Sequence, residues 1–388
     1  MTSTDLALPA SLRRRPLAIR LLVWSLAAVV FLLGLALMLA LVRAQTGLTA
    51  MVLGIGLSLM VVGIVVPVLL WADRFEPEPP GMLLFAFAWG ACFATLGAAF
   101  LNDIGAYLIG ATGDNNPLVA MAIAPPVEET LKALGPLLLL LFRRREIDGV
   151  LDGIVYAGLA GAGFAVVEDV LYLANGYAES GRNGLLSTFI VRVLMSPFAH
   201  PMFTACTGIG LGIAATRRSW AARIFAPLLG WCCAVVLHAL WNSLALASER
   251  GWLLLYVVVQ LPLFVGFVVL LVSLRRAEGR KIAAQLSAYV PLGWLTPAEV
   301  YMVSTLSERR YARAWASSHG GRPLSRQMRL FQDVTTELAM TRARLVRGPV
   351  TPRDVQDERQ LLDAAWALRQ PFLGTPLYRF HGWQRTYG

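Results

Sequence analysis

Four otherwise apolar stretches carry the residues that could do chemistry. Glu128, Glu129 and Lys132 lie within 117–142, Glu168 and Asp169 within 150–175, Arg192 and His200 within 186–216, and His238 and Asn242 within 223–248. An ionised side chain at the centre of a membrane helix costs about 2.5–3.5 kcal/mol on insertion scales. Groups kept at that cost pair with one another, line a wet cavity, or act on something. Two carboxylates and two imidazoles can hold a divalent metal and leave a carboxylate as general base for a water. Alternatively, a carboxylate and a histidine can activate water without metal, while a second histidine and an asparagine support an oxyanion. Either arrangement hydrolyses an amide bond. Other hydrolytic signatures are absent: there is no His-Glu-x-x-His, and no Gly-x-Ser-x-Gly within a span. Thr112-Gly113-Asp114 falls in a loop and supplies no aspartyl pair.

These residues need a bundle to position them. Hydrophobic residues make up 57% of the 388 and charged residues only 15%, against about 25% charged in an ordinary soluble domain. A membrane helix needs about 20 apolar residues. Eight segments qualify: 18–42, 46–71, 81–101, 117–142, 150–175, 186–216, 223–248 and 252–274. Backbone polar groups in lipid must be satisfied internally, which makes these segments helices. Leu21–Val42 is uncharged and follows Arg13, Arg14 and Arg15. It is too long for a signal-peptide core and reads as an uncleaved first helix.

The net charge of +10 does not point to nucleic acid, because the basic residues mark loops. Counting from a cytoplasmic N-terminus, the inner loops hold Arg74, then Arg143–Arg145, then Arg217, Arg218 and Arg223, then Arg275, Arg276, Arg280 and Lys281. The outer loops hold only Arg43, Arg182 and Arg250. That bias places both termini in the cytoplasm. Cys92, Cys206, Cys232 and Cys233 sit in apolar runs and read as packing residues.

Spacing gives the site its level. Glu128 lies about eleven residues into its span, His200 about fourteen and His238 about fifteen, at about 1.5 Å per residue. All three reach the region between midplane and outer leaflet, with Glu168 slightly further out. Glu128 and Lys132 share a helix face, as do Phe164 and Glu168, and His238 and Asn242. Pro125-Pro126 should break the helix and start a fresh segment carrying the two glutamates.

The expected fold is therefore all-α: a polytopic bundle of about eight transmembrane helices over 18–274. It follows a cytoplasmic segment 1–17 and precedes a small cytoplasmic helical appendage over 275–388. In the appendage, Thr296-Pro297-Ala298-Glu299 is a capping-box start, and Thr351-Pro352-Arg353-Asp354 is its variant. Gly320-Gly321 and Gly348-Pro349 read as breaks.

At the polar residues the chain resembles the PrsW family, within the wider group of CAAX-processing and bacteriocin-processing membrane proteases. Glu128-Glu129-Thr130-Leu131-Lys132 is similar to its Glu-Glu-x-x-Lys motif. Phe164-Ala165-Val166-Val167-Glu168-Asp169 is similar to Phe-x-x-x-Glu-Asn, with Asp169 in place of Asn. Arg192 with His200, and His238-Ala239-Leu240-Trp241-Asn242, complete the set. The resemblance implies an intramembrane peptidase acting on membrane-anchored proteins. Its type member is a site-one protease that clips the extracytoplasmic part of an anti-sigma factor. It implies a bacterial cell membrane location, a protein substrate within the lipid bilayer, and no nucleic acid partner. On this reading Glu129 activates water with Glu128 assisting, and Asn242 orients the substrate carbonyl. His200, His238 and Glu168 hold a metal, zinc, and Lys132, Phe164, Asp169 and Arg192 give support. Two other classes use similar intramembrane charges. One is a transporter or proton relay, although the paired inverted repeats common in transporters are not evident. The other is a non-catalytic membrane scaffold.

Overall fold

The computed structural model describes residues 17–111, 116–144, 146–244, 249–348 and 350–373. Expectations resting on Arg13–Arg15, Thr112-Gly113-Asp114, Arg145, Pro349 and the extreme C-terminus lie outside the described residues, as does the side chain of Arg250. Every regular element among them is helical. The chain divides into two compact units. One takes 20–73 and 78–272, and the other takes 17–19, at the very start of the first helix, with 74–77 and everything described from 273 onward.

The first unit contains α1 (Leu17–Thr46), α2 (Leu48–Ala72), α3 (Pro80–Ala88), α4 (Thr95–Leu108), α5 (Ala124–Phe142), α6 (Val150–Phe189), α7 (Ala199–Thr216), α8 (Trp220–Leu244), α9 (Glu249–Leu255) and most of α10 (Leu261–Leu286). Six stretches are long and apolar enough to cross a membrane: Ala28–Thr46, Leu48–Ala72, Pro80–Leu108, Val150–Thr216, Trp220–Leu244 and Gly251–Tyr289. The chain is an integral membrane protein. The 67-residue stretch would be about 100 Å long as one helix, over three times the hydrocarbon core. It is broken at Ser180 and at Gly181, whose φ is 59°, so it supplies two crossings. The remaining expected crossing is α5, which Glu128, Glu129 and Lys132 keep out of the six.

The paired helices α6 and α7 form the centre. In the most apolar window of Val150–Thr216, 94% is buried, against 17% in Trp220–Leu244, so the other helices surround this pair and present their apolar sides outward. Small residues make the close packing possible. A Cβ added at Gly163 would lie 1.9 Å from the Phe87 carbonyl oxygen, and one at Gly161 would lie 2.7 Å from that of His200. A larger side chain at Gly161 would push away the helix carrying His200, and one at Gly163 would push away α3.

The second unit has its own core. Phe75, Ile282, Leu286, Tyr289, Met328, Phe331, Leu338 and Leu361 are among its buried residues. Its helices are α11 (Pro297–Ser304), α12 (Leu306–Arg347) and α13 (Pro352–Arg369), with the end of α10. Both expected capping boxes are present, at Thr296 with Glu299 and at Thr351 with Asp354. The glycine pair breaks α12 into two arms, with Gly321 at φ 64°.

Candidate active site

The glutamates sit where the two prolines restart a helix. A π-helical turn over Val119–Ile123 precedes α5, and the Ala124 N–H donates to the Val119 carbonyl, five residues back. The next N–H in that pattern would serve Ala120, but it belongs to Pro125, which has none. Asn242 fills the gap, its Nδ2 donating to the Ala120 carbonyl at 2.7 Å. Asn242 therefore ties α8 to the turn just ahead of the glutamates. It does not contact the carboxylates.

The cluster is built around Lys132. Its Nζ lies 3.2 Å from Glu128 Oε2, 2.9 Å from Glu129 Oε1 and 3.0 Å from His200 Nδ1. It also stands 3.8 Å from the centroid of the Phe164 ring, an additional cation–π contact. An ammonium has three donors, and these three partners take them all. His200 Nδ1 thus accepts from Lys132, which assigns the imidazole proton to Nε2, 2.8 Å from Glu168 Oε2.

Glu129 is held on every side. Its Oε1 receives Lys132 and His238 Nδ1, the latter at 3.0 Å, and its Oε2 accepts from Thr204 Oγ1 at 2.9 Å. Its side chain is fully buried. Glu128 is held more loosely: Asn102 Nδ2 donates to its Oε1 at 3.3 Å, and its Oε2 lies 3.7 Å from His238 Nε2. With Nδ1 donating to Glu129, His238 turns the lone pair of Nε2 toward Glu128. A histidine whose second nitrogen is fixed by a carboxylate is the usual arrangement of a metal-ligating imidazole. Phe203 stacks on the His238 ring at 5.5 Å.

Arg192 closes the far end. It donates from Nη2 to Glu168 and from Nε to Asp169 Oδ1, the latter at 2.5 Å, and lies 3.9 Å from the Tyr172 ring centroid. Asp169 thus serves as the counter-ion of Arg192. Glu168 bridges Arg192 and His200. The donor atoms of Glu128, His200 and His238 lie within 4.8 Å of one another, all on buried residues. Glu168, expected beside the two histidines, lies outside that group.

All four expected motifs therefore converge through side-chain contacts from α5, α6, α7 and the turn before it, and α8. Residues 78–267 match the sequence model of the PrsW family intramembrane metalloproteases. The chain belongs to the PrsW family. Protease PrsW of Geobacillus kaustophilus (strain HTA426) is 28% identical over 181 residues, 46% of this chain and 73% of that protein. Protease PrsW of Clostridioides difficile (strain 630) is 31% identical over 136 residues, 35% of this chain and 55% of that protein. No solved structure matches. This PrsW family member is accordingly an intramembrane peptidase by family. The matched segment contains every residue of the cluster and stops before the second unit.

Sequence reasoning missed Asn102, Thr204, Phe203 and Tyr172. Thr204 had a signal, lying four residues after His200 and so on the same face. Asn102 ends an apolar span and carries no periodic clue.

Proposed function

We propose that this chain hydrolyses a peptide bond in a membrane-anchored protein, with Glu128 as the carboxylate that activates the water. The observation that carries this is the facing pair of Glu128 Oε2 and His238 Nε2 at 3.7 Å, a spacing that one shared water or ion can bridge. Glu129, the residue expected from sequence to be the base, has both oxygens engaged. Its role on this reading is to orient His238. Glu128 takes the proton of the attacking water and returns it to the departing amine. Lys132 supplies the balancing positive charge beside both glutamates. Asn242 holds the start of α5 in register, at one remove from the reacting atoms.

The residues fit a divalent metal. One carboxylate and two imidazoles form a zinc-type donor set. Within the cluster, the carboxylates of Glu128, Glu129, Glu168 and Asp169 face only Lys132 and Arg192, leaving an excess of two negative charges. Glu128 and His238 Nε2 would hold the ion, and His200 would join them only by exchanging Lys132 for the ion at Nδ1, with Glu168 fixing Nε2 from behind. Bound zinc would polarise the scissile carbonyl and acidify its water.

With both termini cytoplasmic, the cluster lies between midplane and outer leaflet. The substrate is then cut near the extracytoplasmic end of its anchor, as for an anti-sigma factor in a bacterial cell membrane. The test is cleavage of a single-span reporter by the protein reconstituted in liposomes. Glu128→Gln abolishes product, while Glu129→Gln leaves residual turnover. Wild-type turnover by Glu128→Gln would remove it from the chemistry. Loss of activity on chelation, restored by zinc, supports the metal; chelator-insensitive cleavage assigns the whole task to Glu128 and the histidines.

A further inference from the structure

The second unit contains a cavity of about 430 Å³ whose wall includes Arg74, Arg309, Arg313, Arg329 and Asp333. Its cations come from three stretches of chain. Arg309 and Arg313 are four apart on the first arm of α12. Arg329 and Asp333 are four apart on the second arm, which folds back at Gly321. Each pair therefore shares one helix face. Arg74 lies two residues beyond the end of α2.

Arg309 is the floor of the cavity and is only 3% exposed. Its Nε donates to the Val303 carbonyl at 2.6 Å, its Nη1 to the Phe75 carbonyl at 2.9 Å, and its Nη2 to Thr336 Oγ1. These partners fix the guanidinium without neutralising it. Among the described residues, none of the four arginines and not Asp333 has an ion-pair partner within 4 Å. The cations crowd one another. Burial, then Arg329, lowers the pKa of Arg313, with Arg74 and Arg310 adding to the effect. Burial also draws Arg309 down to about 10, against the opposing pull of Asp333, Glu278 and Glu76.

We propose that this cavity binds a phosphoryl group, its anionic oxygens received by Arg74, Arg313 and Arg329 beside the fixed charge of Arg309. The lining sets four guanidinium groups against one carboxylate, and even with Glu76 and Glu278, which act on Arg309 from outside the lining, the cations outnumber the carboxylates; Arg is the side chain whose planar fork suits phosphate. The volume lies in the range of small-ligand sites. A lipid headgroup and a soluble phosphate share this chemistry. Chain connectivity puts Arg74 within about 7 Å of the end of an apolar membrane helix, within reach of an anionic headgroup on that face.

The test uses the full-length protein in nanodiscs of phosphatidylcholine, with thermal unfolding as readout. One arm adds phosphatidylglycerol to the nanodisc, and the other adds inorganic pyrophosphate to the buffer. A rise in Tm in either arm, reduced at least tenfold in apparent affinity by Arg313→Gln with Arg329→Gln, establishes the site. The arm that responds names the source. Asp333→Asn guards against misfolding of the double variant: it removes the one opposing charge and tightens binding, an effect that mere structural loss does not produce. A wild-type protein whose Tm moves with neither probe, or variants that respond as the wild type does, would overturn the proposal.

Discussion

In the membrane bundle, the buried cation Lys132 is surrounded by carboxylates and an imidazole, and Arg192 lies between Glu168 and Asp169. In the second unit, the buried Arg309 is surrounded by two backbone carbonyls and a hydroxyl. The first arrangement brings together charges that a proton or an ion can rebalance. The second satisfies hydrogen bonds with neutral groups, while Asp333, Glu278 and Glu76 act on the charge from beyond ion-pair distance. Both avoid the cost of an unsatisfied buried group, but they leave opposite surpluses: negative in the bundle, positive around the arginine cavity. Burial alone does not mark a reactive site. What marks it is whether the partners can themselves change protonation or coordination.

The comparison breaks first at Glu128. Glu128→Gln keeps the shape and removes the base, so reporter cleavage should fall by about 10²–10⁴, the usual worth of a general base. Glu129→Gln should cost less, about 10–100-fold, as a partner that orients a histidine. Equal losses in the two variants would refute the division of labour. Lys132→Met leaves two buried carboxylates without their cation, and breaking such a pair costs about 3–5 kcal/mol. A large fall in Tm of the detergent-solubilised protein checks it. Arg309→Met takes the donor from Phe75 O and Val303 O, while Thr336 Oγ1 keeps its own bond to the Gln332 carbonyl. At about 1–3 kcal/mol for each unsatisfied buried group, the unit should lose roughly 3 kcal/mol, with no direct change at the glutamates.

Glu78 sharpens the contrast with a third way of handling burial. It lies just ahead of α3, accepts from Tyr156 Oη at 2.7 Å, and has no cation beside it among the described residues. Burial, then the nearby Asp152, pushes its pKa up to about 11, so it holds its proton. Between pH 4.5 and 11 the folded state binds a proton that the unfolded state lacks, so stability falls as pH rises through that window. The slope is at most about 1.4 kcal/mol per pH unit. Glu78→Gln should flatten the dependence of Tm on pH, and an unchanged slope would show that the proton is not held there.

Much of this was legible before the structure. Charges in apolar runs, read by depth, pointed to Glu128, Glu129, Lys132, Glu168, Arg192, His200 and His238, and capping chemistry pointed to the starts of α11 and α13. Asn242 was legible as a site residue but not in its contact, because that depends on a carbonyl which a π turn and Pro125 leave without a donor. Asn102 and Thr204 were hidden because a single polar residue at the edge of an apolar run looks the same whether it faces lipid, a helix or a carboxylate. The arginine cavity was hidden because Arg74 and Arg313 are far apart in the chain.

Hydropathy and residue spacing alone were enough to show that the chain crosses a membrane as helices, that prolines restart the helix at the glutamates, and which ionisable groups share one level. They were enough because lipid makes hydropathy, proline and charge local and costly. Which oxygen meets which nitrogen came from packing in three dimensions: Glu129 has both oxygens engaged, Glu128 faces His238, and Arg309 is held by two carbonyls and a hydroxyl. Those outcomes depend on how closely small residues on α6 let its neighbours approach, and on rotamers fixed by packing between helices far apart in the chain. No local pattern encodes either.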